Sequence, residues 1–148
     1  MKHKSDFDFC KIKIYTINAL KFSIVPYTFQ LQKIFDNKIL DELCNGNFIS
    51  TSSILIKKSF IEKYLFDINF PRLQDYDLVL RMASNAKISF TNEVLIKLYS
   101  QNDSISSSSL KLKIALNLLL KKKYKLNSIQ RKNLTNYIKR IKKKINNN

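Results

Sequence analysis

The chain has a single glycine, Gly46, in 148 residues, and only two prolines, Pro26 and Pro71. A loop that wraps a phosphate needs glycines in series so that backbone N–H groups can close on the anion. No stretch of this sequence supplies them, so a nucleotide held by a glycine-rich turn is excluded. The apolar fraction of 45%, with 10 Phe and 7 Tyr, still provides enough bulk for one folded domain with a real core. Cys10 and Cys44 are isolated and the lone histidine, His3, stands at the very start, so no cluster has zinc-ligand spacing. The two thiols read as core residues of a reducing compartment. MKHKSDFDF lacks the apolar stretch of a secretory signal, and the richest apolar run, IALNLLL at 114–120, falls short of the roughly 20 residues needed to span a bilayer. A cytoplasmic protein, peripheral at most to the inner face of the cell membrane, is the expectation.

The net charge of +16 is unevenly placed. Residues 1–103 carry 14 basic and 11 acidic side chains, whereas residues 104–148 carry 13 basic and no acidic ones. Any argument from charge about an anionic partner therefore concerns the C-terminal third alone.

Residues 6–15, DFDFCKIKIY, alternate and are rich in aromatic and β-branched types, which predicts a strand. Leu31, Ile34, Phe35, Leu40 and Leu43 predict a helix over about 28–44, stopped at Asn45-Gly46. A strand is expected at about 47–57, a short helix in KSFIEKYLF, an irregular connector, and a helix from Gln74 to about Ala86. KISFTNEVLIKLY predicts one or two strands around Thr91-Asn92, SQNDSISSSS a loop, and 109–125 and 128–145 two helices.

In PRLQDYDLVLRMASNA, residues 71–86, two carboxylates stand two positions apart. On a helix such residues point to nearly opposite sides and cannot serve one neighbour. Asp77 has Arg81 at i+4 in the favoured acid-first order and predicts a structural ion pair. Asp75 has Val79 at i+4 and Pro71 at i−4, so no local cation shares its face. It either sits in the first turn, where the helix dipole favours an anion, or is free to take a proton from a bound hydroxyl as a general base.

Four ordered blocks, NFISTSSILIKK, FDINFP, QDYDLVLR and VLIKLYSQNDSIS, resemble the C-terminal half of the catalytic domain of family 2 glycosyltransferases of the GT-A fold. The resemblance covers about residues 6–110. It implies an α/β fold class: a partial GT-A, Rossmann-like glycosyltransferase domain over 1–106, followed by a basic helical tail over 107–148. It implies an inverting transfer from a nucleotide-sugar donor to a cell-surface polysaccharide or lipid-linked glycan acceptor, with Asp75 in the place of the acidic general base. Gln74 stands where the family often has Glu. Asn47, Ser50, Thr51 and Ser52 fall on the strand that borders the acceptor, and their hydroxyls and amide are candidate acceptor-binding groups. The DSIS block, Asp103–Ser106, reads as a closing loop.

The intact family domain uses a divalent cation, Mn²⁺ or Mg²⁺, held by a D-x-D motif. Asp6-Phe7-Asp8 has that pattern but stands too early to close a nucleotide-binding βαβ unit, and no metal ligand is assigned in this chain. The resemblance thus implies a truncated domain lacking its donor-binding half, which a separately encoded N-terminal half would have to supply. The alternative is a non-catalytic fragment, a membrane-surface or glycan-binding remnant. In the tail, Leu134, Tyr137, Ile138, Ile141 and Ile145 form an apolar stripe against a basic surface, a pattern suited to an anionic membrane or to packing on the body. A nucleic-acid partner is not expected, because no aromatic residues interleave with the bases in a recognisable module.

Overall fold

The structure, a computed structural model, describes residues 5–16, 23–24, 39–100 and 108–147. The chain order is β1 (Phe7–Thr16), β2 (Ser23–Ile24), α1 (Ile39–Asn45), a 3₁₀ turn (Thr51–Ser53), β3 (Ile54–Ile56), α2 (Lys58–Ile61), α3 (Gln74–Ala83), β4 (Ile88–Ser100), α4 (Ser109–Lys121) and α5 (Ser128–Asn146). The fold is mixed α/β. The first eleven residues of the helix expected from Thr28, together with Pro26 and the Asp103–Ser106 block, lie outside the described residues.

β1 is the central strand of a four-stranded mixed sheet. Its whole length pairs in parallel with β4, from Phe7 opposite Ile88 to Thr16 opposite Ser100. β3 pairs antiparallel with Phe7–Phe9, and β2 with Lys13 and Ile14. The β1–β4 register shifts between Cys10 and Ile12, where three extra β4 residues, Asn92, Glu93 and Leu95, are accommodated. Bulges bend a strand without ending it. KISFTNEVLIKLY is accordingly one strand, irregular at the Thr91-Asn92 position where the pattern left one or two open.

Around this sheet the helices form by local rules. The Ser108 hydroxyl caps α4 by accepting from the Lys111 N–H. α5 opens with a complete capping box: Asn127 accepts from the Gln130 N–H, and the Gln130 side chain accepts from the Asn127 N–H. α1 ends at Asn45, where the Gly46 N–H reaches back to Glu42 and Leu43. Gly46 does so without a positive φ, so the stop is not the left-handed cap that Asn-Gly suggested.

The core gathers Phe9, Leu40, Leu43, Ile49, Phe70 and five apolar residues of α3 together with Ala115, Leu116, Leu119, Tyr124, Leu134 and Ile138. α3 is at its centre: Tyr76 through Leu80 and Met82 are all buried. α4 and α5 contribute to the same core as the sheet and α3. The Tyr76 hydroxyl donates to the Leu43 carbonyl, its ring meets Tyr137 edge-on at 6.0 Å, and Gln130 donates to Asp41 at 2.7 Å. Among the described residues no helix is long and apolar enough to cross a membrane.

Candidate functional site

The two aspartates of α3 face different surroundings. Asp77 is 0% exposed and takes three contacts: the Arg81 Nε at 2.9 Å, the Lys122 Nζ at 2.9 Å and the Tyr124 hydroxyl at 2.7 Å, with Arg81 anchored further through the Leu65 carbonyl at 2.8 Å. Lys122 also pairs with Asp67 at 2.7 Å. That lysine and a backbone N–H from Asn69 hold the Asp67 carboxyl down at about 2. Burial, and then the bond to Asp77, push the Tyr124 phenol well above its ordinary range. The i,i+4 pair is thus one edge of a buried network that ties α3 to the α4–α5 linker. Lys122 and Tyr124 sit inside a lysine-rich run, KKKYK, where nothing local distinguishes them from solvated residues.

Asp75 lies at the start of α3, half-buried, on the other side. Its Oδ2 accepts from the Thr51 hydroxyl at 3.0 Å and from the Thr51 N–H at 3.3 Å, and its Oδ1 accepts from the Tyr76 N–H at 2.8 Å. The carboxylate is therefore not free, as the absence of a local cation suggested, but pinned by a residue 24 positions earlier. No ion pair to it occurs among the described residues. A carboxylate offers about four acceptor positions, so three donors leave one, on Oδ1. The residue before the helix, Leu73, has φ 61°, a left-handed conformation that costs a branched side chain about 1–2 kcal/mol. Gln74 turns back to donate to the Phe70 carbonyl at 2.8 Å.

The hydroxyl cluster differs from its expected setting. Thr51 and Ser52 are on the 3₁₀ turn, Ser50 is the extended residue before it, and Asn47 lies further upstream; the strand begins only at Ile54, not at 47. Serine and threonine hydroxyls bond to nearby backbone and compete with a ladder. Here the Ser53 hydroxyl and N–H both donate to the Ser50 carbonyl, at 2.7 and 2.9 Å, and close the turn. The run of four hydroxylic residues was the signal for this, and the turn is what aims Thr51 at Asp75. Thr51 and Ser52 are exposed, so the Asp75–Thr51 pair borders solvent.

Asp6 and Asp8 have partners within the fold. One Asp6 oxygen accepts from the Lys87 N–H at 2.9 Å and the other pairs with Lys57 at 3.4 Å, which lowers its pKa; Asp8 accepts from the Ser5 hydroxyl at 2.7 Å. Asp6 is spent on joining the start of β1 to the residues that flank α2 and β4. No group of three potential ligands is found among the described residues. Cys44 is buried, its thiol pushed up to about 12 by desolvation, which leaves it inert as a nucleophile.

The apolar stripe of α5 points inward. Leu134 and Ile138 are buried, and Tyr137, Ile141 and Ile145 pack against the core. The stripe is used by the fold itself. Compared with known protein families, curated proteins and solved structures, the chain matches none.

Proposed function

We propose that this chain is the acceptor-side part of a family 2 glycosyltransferase catalytic domain, with Asp75 as the base that deprotonates the acceptor hydroxyl. The observation that carries the reading is the Asp75–Thr51 pair. A carboxylate at a helix start is fixed by three donors, borders solvent, and keeps one acceptor position on Oδ1. A sugar hydroxyl donating there would be turned so that its oxygen attacks the anomeric carbon of a nucleotide-sugar as the diphosphate departs. Thr51 positions the carboxylate, while Ser50 and Ser52, on either side of it in the chain, are the candidate groups for the other acceptor hydroxyls; the Asn47 amide oxygen is buried. Asp77 and Arg81 hold the helix. On this reading the donor and its Mn²⁺ or Mg²⁺ are held by a donor-binding half supplied from another segment.

The three bonds to Asp75 also favour a second reading, a glycan-binding fragment without catalysis, because a carboxylate held by three donors serves structure well. Supplying a GT-A donor-binding half as an upstream fusion separates the two. Transfer that falls about 10²–10⁴-fold in Asp75→Asn supports the base. A fusion that transfers equally well after that change overturns the catalytic reading.

A further inference from the structure

α4 buries Ala115, Leu116 and Leu119 on one side. On the opposite side Leu110, Ile114, Asn117 and Lys121, spaced i, i+4, i+7 and i+11, form a line facing solvent. Leu110 is 67% exposed, Ile114 43% and, at the flank, Leu120 39%. A surface helix of a globular domain has no reason to present three branched aliphatic side chains outward when its inner face already fills the core.

Their neighbours are cationic. Lys111 and Lys121 are exposed on α4, and Lys142 of α5 reaches across to the Asn117 amide of the same line. Among the described residues, the acids bonded to this part of the chain are engaged away from the outer face of α4: Asp41 with Gln130, Asp67 with Lys122, and Asp77 with Lys122 and Tyr124. Residues 104–148 contribute no acid of their own. The outward face of α4 therefore combines aliphatic side chains with positive charge that is paired with no acid among the described residues.

We propose that this face is a docking surface for an anionic lipid bilayer. Leu110 and Ile114 enter the boundary between headgroups and acyl chains, with α4 lying in the plane of the interface. Lys111, Lys121 and Lys142 extend their stems along the apolar layer and place their ammonium groups among the headgroup phosphates. A nucleic acid would use the lysines but gain nothing from Leu110 and Ile114, and α4 carries no aromatic side chain to stack on a base. A second copy of the chain would set like charge against like charge. The docking mode differs from one built on the α5 stripe, which the core has already taken. It stands independently of any catalytic role for Asp75.

The chain contains no tryptophan, so one introduced residue reports without background. Leu110→Trp in the full chain is titrated with vesicles of phosphatidylcholine alone and with an equal mixture of phosphatidylcholine and phosphatidylglycerol. A blue-shifted emission with the mixed vesicles only, and none for Leu55→Trp on β3, is expected. In co-sedimentation, Leu110→Ser with Ile114→Ser lowers partitioning about tenfold or more. Lys111→Ser with Lys121→Ser lowers it about fivefold per lysine. All four side chains are exposed, so circular dichroism should stay unchanged. An unshifted Leu110→Trp, equal binding to neutral vesicles, or unaltered partitioning of the Leu110→Ser, Ile114→Ser variant overturns the proposal. Retention on a duplex oligonucleotide without vesicle binding assigns the charge to nucleic acid, and a dimer broken by the same pair of serines assigns the face to a second copy.

Discussion

Replacing Asp77 by alanine removes the one carboxylate on which Arg81, Lys122 and Tyr124 converge. Breaking a fully buried ion pair costs about 3–5 kcal/mol. Arg81 and Lys122 are only 22% and 26% exposed, but each keeps another partner, the Leu65 carbonyl and Asp67, which places the ionic part near the lower end. The Tyr124 hydroxyl is buried and loses its acceptor, adding about 1–3 kcal/mol. The expected total is about 4 kcal/mol, a large share of the roughly 5–15 kcal/mol that holds a domain together. Urea unfolding followed by far-ultraviolet circular dichroism and by tyrosine emission measures it, and the melting temperature should fall by about 8–16 °C. Tyr124→Phe alone should cost about 2 kcal/mol, and the double variant should cost clearly less than the sum, because the two changes remove one shared bond. A loss below about 1 kcal/mol for Asp77→Ala, or strict additivity with Tyr124→Phe, would show that the α4–α5 linker is not docked on α3.

Three further outcomes follow from the same core. Burial raises the phenols of Tyr76 and Tyr124 above their ordinary value, so their contribution is complete below about pH 10 and is lost as pH rises beyond it, by about 1.4 kcal/mol per pH unit for each; an alkaline melt that stayed flat above pH 10 would contradict this. Asp67 is shifted the other way, to about 2, so its contribution is present above the ordinary carboxylate range and is lost as pH falls toward about 2; Asp67→Asn should be less stable than the parent at neutral pH and equal to it at the acid end, in paired urea titrations. Ile138→Ala, in the α5 stripe, should cost about 2–5 kcal/mol in equilibrium unfolding, whereas a tail that merely rests on solvent would lose almost nothing.

Helix positions were legible because their signals are local. The 3.6-residue recurrence of Leu134, Tyr137, Ile138 and Ile141, and the Asn127–Gln130 cap, lie within one segment. The same holds for the acid-first spacing of Asp77 and Arg81. What the spacing could not reach was the rest of the Asp77 network, since Tyr124 stands 47 residues on and its neighbours are lysines like any others. The parallel pairing of β1 with β4 likewise joins residues some eighty positions apart, and strand alternation carries no instruction about the partner. Phe48, Ile54 and Ile56 frame the Ser50–Ser53 run as strand, but the Ser53 hydroxyl closes a turn there instead. At the site, Asp75 was singled out by the lack of a cation on its own helix face. Its actual partner, Thr51, lies across the fold, and only the closed turn brings it there.

In the proposed function Asp75 and Thr51 receive a sugar hydroxyl. Backbone amide chemical shifts of the isotope-labelled chain, titrated with methyl glycosides of glucose, galactose and N-acetylglucosamine, test it directly. Saturable shifts centred on Thr51, Ser52, Asp75 and Tyr76, lost in Asp75→Ala and unaccompanied by shifts on adding UDP with Mn²⁺, are the predicted result. Unmoved amides at these four residues with every glycoside, or saturable shifts driven by UDP and Mn²⁺, would contradict it.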